Sequence, residues 1–286
     1  MPFLSILAVA AGAPDDKSVI AIAADMARRH GSTAIVINTY ANPAPRLAPA
    51  FVGGTTLSPP VLRTLTGEQD AVRAEIAALV SSQATRFGLA TSAGDAPAIY
   101  LAAPTATGWL GLMRELPLAD VVVLGQSRAS GAGPWTGPLG EALMDARVPV
   151  FVARGDDSPA GRPAAVAWDG SPESARAVRA ALPLLKDASE VAILQDPDEI
   201  DVTPGSLADP ARLGAYLSSR GVVVGRTVET KGRKVGAALM DGALEIGAAL
   251  LVAGAYGHSR VGEAIFGGAT RAMLSAKDGP HLLISH

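Results

Sequence analysis

Apolar residues in this chain gather in short runs, and between the runs they recur at helical spacing. Residues 3–10 form the first run and predict a strand. Val19, Ile22, Ala23 and Met26 then repeat at three- and four-residue steps up to Gly31, which predicts a helix beginning near Asp15, Asp16 and Ser18. Residues 34–40 read as a second strand. From 41 to 60 prolines and glycines dominate without periodicity, which predicts a long loop. A helix is expected over 67–88, with Val72, Ile76, Leu79 and Val80 on one face, then a short strand at 89–93 and a short helix at 109–116. A fully buried strand at 120–125, a helix at 137–145 and a strand at 148–153 follow. Residues 154–163 are polar and turn-rich and read as a linker.

After that segment the order restarts. A strand is expected at 164–168, then a helix to 185 with Ser171 as N-cap and Pro172 in its first turn. Strands at 191–194, 222–229, 250–254 and 281–285 alternate with helices at 211–220, at 235–246 and from Thr270. The halves also match in sequence: ADVVVLG at 119–125 parallels AALLVAG at 248–254, RVPVFVAR at 147–154 parallels GPHLLISH at 279–286, and LAVAAGAP at 7–14 parallels AAVAWDGS at 164–171. The expectation is an α/β fold of two tandem repeats, residues 1–154 and 163–286. Each would be a five-stranded parallel, Rossmann-like sheet with helices on both faces. The repeats would pack about a pseudo-two-fold axis through the closing strands 148–153 and 281–285, as a pseudo-dimer within one chain. A further homodimer is left open.

Composition narrows the chemistry. The 286 residues are 49% apolar and 18% charged with a net charge of −3, so no basic footprint suggests nucleic acid. The chain has no cysteine, which excludes disulfides, thiolate catalysis and cysteine-ligated metals. Its four histidines, His30, His258, His281 and His286, lack metal-ligand spacing, and no metal site is expected. No Lys or Arg precedes the apolar run 3–11, which therefore reads as a strand rather than a signal peptide. No segment approaches the ~20 apolar residues of a membrane span, so a cytoplasmic protein is expected. The G-x-S-x-G, G-x-x-x-x-G-K-[ST] and first-strand G-x-G-x-x-G motifs are absent, and no catalytic residue is assigned.

The richest stretch is 250–274. A buried strand ends at Gly254, glycines follow at 257, 262, 267 and 268, and a helix starts near Thr270. A strand running through glycines into a helix N-terminus can hold phosphate, because backbone N–H groups approach the anion and the helix dipole favours it. The same glycines can also serve tight turns alone. In parallel sheets ligands bind outside the carboxyl ends of strands, where Asp169 also stands.

Gly254, Gly257 and Gly267 fit the spacing G-x2-G-x9-G-[ST], and Asp169 follows the first strand of its half. On these residues the chain resembles the universal stress protein family, with an adenine nucleotide alpha hydrolase-like fold. The likeness covers the second half well and the first half weakly. It implies a stress-response regulatory protein binding ATP or a related adenine nucleotide, with or without Mg²⁺, with slow ATP hydrolysis at most and an unidentified protein partner. Asp169 would contact the adenosine moiety, Gly254, Gly257, Gly267 and Gly268 would cradle phosphates, and His258 and Thr270 would add donors. Ser259 and Arg260 are further donors if they point inward. The family's Ser or Thr after the third motif glycine is Gly268 here, which removes a hydroxyl. In the first half Gly12 stands where Asp169 does, Arg128 where Gly257 does, and Pro138-Leu139 where Gly267-Gly268 do. That half is expected to lack a nucleotide site, with Arg128 a solvated loop residue. The alternative is an interaction scaffold of the same fold that binds no nucleotide.

Overall fold

Strands built from unbroken runs of Val, Leu, Ile and Ala have no face suited to water, so each must be covered on both sides. A computed structural model describes residues 3, 5–39, 59–105, 108–130, 139–198, 200, 202–232, 234–255, 268–276 and 278–286. Its strands are β1 Ser5–Ala10, β2 Thr33–Asn38, β3 Ala98–Leu101, β4 Val121–Gly125, β5 Val150–Ala153, β6 Ala164–Ala167, β7 Val191–Gln195, β8 Val224–Glu229, β9 Leu250–Gly254 and β10 His281–Ser285. Its helices are α1 Asp16–His30, α2 Pro59–Phe87, α3 Gly108–Glu115, α4 Gln126–Ala129, α5 Pro172–Asp187, α6 Pro210–Ser218, α7 Val235–Glu245 and α8 Gly268–Ser275.

All ten strands join one continuous sheet in the order β3-β2-β1-β4-β5-β10-β9-β6-β7-β8. This differs from the expectation of a separate sheet for each half. Neighbours are parallel except at the centre, where β5 and β10 pair antiparallel with Leu283 opposite Phe151 and Leu282 opposite Val152. The two closing strands thus meet as their sequence suggested. Helices cover both faces. Val19, Ile20 and Ile22 of α1 and Val178 and Leu185 of α5 pack on one face, while Leu112 of α3, Leu239 of α7 and Met273 and Leu274 of α8 pack on the other. Phe151, Leu282, Leu283 and Ile284 are completely buried at the seam. Each such burial contributes roughly 1.5–3 kcal/mol.

Local signals were kept where they were strong. Gly31 ends α1 in the left-handed conformation at φ 63°. Ser171 caps α5 by accepting from the Ser174 N–H at 3.1 Å, and Pro172 opens that helix. The third strand moves, however: residues near 90 contribute only the bridge Ala90↔Ala98, and the paired strand is Ala98–Leu101. Four residues flanked by Pro97 and a polar turn are too few to show a period. Helix α2 starts at Pro59, before the predicted 67, and the predicted loop at 41–58 lies outside the described residues. Residues 137 and 138 of another predicted helix also lie outside them, and Glu141–Asp145 form a π-helical turn.

The connecting segment 154–163 buries only Pro159 but is hydrogen-bonded to the helices beside it. Ser158 donates to the Asp25 carboxylate at 2.5 Å, Ser18 donates to Asp156 at 2.6 Å, and the Gly161 N–H donates to the Asp187 carbonyl at 2.7 Å. Residues 154–163 therefore bind the ends of α1 and α5 into one unit. At the seam the buried His281 ring accepts from the Arg154 N–H through Nδ1 at 3.0 Å. Its Nε2 lies 2.8 Å from the Asp157 carbonyl and must carry the proton. That neutral tautomer satisfies both nitrogens, and a second proton would set a donor against the Arg154 N–H. Burial accordingly lowers the His281 pKa from its ordinary 6.5, and burial lowers that of His30 as well.

A histidine whose folded pKa is depressed contributes stability above the unfolded value that is lost on acidification. Denaturant unfolding of the protein should therefore show stability falling as pH drops from about 6.5 towards the lower folded pKa values. His281→Asn should flatten part of that slope, leaving the His30 share. An unchanged slope in His281→Asn would contradict the assignment.

Candidate functional site

In the second half, β6 has β9 on one side and β7 on the other, with Val166 opposite Val252 in parallel register. The chain leaves β6 towards β7, so the gap between β6 and β9 is where strand order reverses and ligands enter such sheets. Asp169 lies just past β6, and Gly254 is the last residue of β9, so they flank this gap. One carboxylate oxygen of Asp169 accepts from the Ser171 N–H at 2.9 Å, a turn that starts α5. A Cβ at Gly254 would sit 2.6 Å from the Ser174 nitrogen, so this glycine lets the first turn of α5 press onto the strand end. Gly170 takes φ +75°, and a Cβ there would meet the Leu207 carbonyl oxygen at 2.4 Å. Gln195 pins the neighbouring loop by donating to the carbonyls of Trp168 at 3.2 Å and Ala208 at 2.6 Å. Helix α8 begins at Gly268, where a Cβ would meet nothing within 4 Å, and Thr270 is buried in its first turn.

The equivalent gap in the first half, between β1 and β4, is filled from within. Asp16 Oδ2 accepts from three consecutive N–H groups just past β1: Ala11 at 2.9 Å, Gly12 at 2.7 Å and Ala13 at 3.2 Å. Asp16 Oδ1 accepts from Arg128 at 3.2 Å, and the two side chains are only 4% and 6% exposed. Beside them the Asp15 carboxylate accepts from the Ser127 N–H at 2.8 Å and the Ser127 hydroxyl at 2.9 Å, and it lies against Gly125. Burial raises the Asp16 pKa, with Arg128 and the three N–H groups pulling it back down. Arg128 is thus a buried ion-pair partner, where the sequence suggested a solvated loop arginine. Val72 of α2 lies against Gly12, where an added Cβ would meet its Cγ1 at 3.0 Å.

No protein-family model matches the chain, and no curated protein matches it. Solved structures do. A universal stress protein from Archaeoglobus fulgidus DSM 4304 superposes with a TM-score of 0.68 at 13% identity, covering 98% of this chain and 95% of that one. A putative universal stress protein from Pseudomonas aeruginosa UCBPP-PA14 gives 0.50 at 12% identity, over 99% and 93%. A functionally unknown protein from Pseudomonas aeruginosa PAO1 gives 0.51 at 12%, over 99% and 92%. The fold is that of the universal stress proteins.

Within the universal stress protein fold, Asp169 and Gly254 flank the second-half gap and Gly268 and Thr270 open α8, while Gly257, His258 and Gly267 lie outside the described residues, as do Ser259 and Arg260. Asp169 and Gly254 both carry structural duties that spacing alone did not show. Sequence reasoning also missed Gln195, which sets the loop beside Asp169, and the pairing of Asp16 with Arg128. The consecutive acids Asp15 and Asp16, at the start of the helix that follows the first strand, were the available signal. Among the described residues no helix is long and apolar enough to cross a membrane, and no group of three His, Cys, Asp or Glu is arranged to hold a metal ion.

Removing one member of a buried ion pair strands the other. Asp16→Ala should therefore destabilise the protein by about 3–5 kcal/mol, and Asp16→Ala combined with Arg128→Met by clearly less than the sum of the single changes. Chemical denaturation of the four proteins checks this, and strict additivity would mean that the pair is not coupled.

Proposed function

We propose that the chain is a tandem regulatory protein of the universal stress type, with units at 1–154 and 163–286, that binds ATP or a related adenine nucleotide in its second half. The observation that carries this reading is the position of Asp169 and Gly254 on either side of the gap where strand order reverses. In this reading Asp169 accepts from the adenosine moiety. Gly254, Gly257, Gly267 and Gly268 bring backbone N–H groups to the phosphates, and His258 and Thr270 add donors. Mg²⁺ would accompany the phosphates. The first half supports a single site, because the carboxylates of Asp15 and Asp16 hold the amides that an anion would need. Phosphate would also meet two like charges there. At the matching positions of α5 stand Pro172, which has no carboxylate, and Glu173, whose carboxylate is paired with Arg176 at 2.6 Å instead of holding the amides past the strand.

The protein acts in this reading by binding and responding to nucleotide rather than by turnover, in the cytoplasm, with an unidentified protein as its partner. A second reading, a scaffold that binds no nucleotide, draws support from Gly268, which lacks the family hydroxyl, and from the structural duties of Asp169 and Gly254.

Calorimetric titration of the folded protein with ATP, with and without Mg²⁺, separates the two. Saturable heat is expected, and its absence would favour the scaffold. Asp169→Ala should weaken binding by about tenfold or more through loss of a charged acceptor. Gly257→Val should weaken it by blocking backbone approach. Gly268 has open space at its Cβ position, so Gly268→Ser should change stability by no more than about 0.5 kcal/mol. The restored hydroxyl should tighten ATP binding, and unchanged affinity would remove Gly268 from the site.

A further inference from the structure

The last carbonyls of a helix have no donor within it, and a cation placed there is favoured by the dipole. At the C-terminus of α8 those donors come from the other half of the chain. Gln126, the first residue after β4, donates through Nε2 to the carbonyls of Leu274 and, at 3.1 Å, Ala276. Arg154, the first residue after β5, donates through Nη2 to the Met273 carbonyl and through Nη1 to the Pro280 carbonyl at 3.1 Å. The two side chains are joined, with Arg154 Nε donating to Gln126 Oε1 at 2.7 Å. Burial lowers the Arg154 pKa to about 10, which leaves it cationic at neutral pH. The other end of α8 is fixed by α7, since a Cβ at Gly236 would meet the Ala269 carbonyl oxygen at 2.3 Å.

The residue matching Gln126 in the second half is Ala255, which has no side-chain amide. The residue matching Arg154 is His286, whose Nδ1 lies 3.2 Å from the Ala255 carbonyl of its own half. We propose that Gln126 and Arg154 are positioning residues: the first half braces α8 from its C-terminus and so holds the helix whose N-terminal residues, Gly268 to Thr270, the nucleotide reading assigns to the phosphates. The affinity consequence rests on the nucleotide reading above, whereas the bracing itself does not.

Hydrogen exchange of the full-length protein tests the brace directly. In Arg154→Met the amides of α8 should exchange roughly tenfold faster, while those of β7 and α5 change little. Val178→Ala, a core change in α5, serves as a control for general destabilisation and should not single out α8. Arg154→Lys should restore part of the protection, and Gln126→Leu reports on the same helix should Arg154→Met fail to fold. ATP affinity should fall about tenfold in Arg154→Met, by coupling through α8. Exchange in α8 that rises no more than elsewhere would overturn the proposal. If the unsubstituted protein binds no ATP, the nucleotide reading fails and the exchange result still decides the brace.

Discussion

The antiparallel pairing of β5 with β10 fixes almost everything else in this molecule. Each half, built from parallel strands, ends in a strand with an open edge, and such an edge must be paired or covered. Joining the two edges buries Phe151, Leu282, Leu283 and Ile284 and removes both edges at once. Because the pairing is antiparallel, the strands of the two halves point in opposite directions. Their carboxyl ends lie on opposite borders of the sheet. The carboxyl end of β5 is thereby set beside the amino end of β10, which is how Arg154 reaches His281, Pro280 and the end of α8.

The two borders have been put to different uses. On one, Asp16 fills a nest of three amides and pairs with a buried arginine, while Gln126 and Arg154 turn outward to the neighbouring half. A carboxylate in such a nest meets the same donors that a phosphate oxygen would, so the first half satisfies itself and gains rigidity. On the other border Asp169 and Gly254 flank the corresponding gap. Helix α8 is about 12 Å long, so a constraint at its C-terminus is felt one short helix away.

Much of this was legible in the chain. The period of apolar positions placed β9, β10 and α5, and the N-cap Ser171 with Pro172 fixed where α5 starts. Matching segments in the two halves anticipated the contact between the closing strands. What escaped was tertiary. The four-residue β3 exists because β2 offers it a partner, and α4 exists because β4 ends beneath it. Gly254 read as a phosphate glycine, yet only the packing of α5 shows that a side chain there would collide with Ser174. Arg154 read as the start of a linker, since nothing local announces hydrogen bonds to residues more than a hundred positions away. Long-range acceptors of this kind leave no periodic trace.

The central claim is that one border of the sheet takes an adenine nucleotide and the other is closed by the chain's own carboxylates. Photolabelling with an azido-adenine analogue of ATP, followed by peptide mapping, tests it most directly. The label should fall on peptides from the second half around Asp169 and around 254–270, and excess ATP should abolish it. Label on the first half, around Asp16 and Arg128, or labelling that ATP does not compete, would contradict the account.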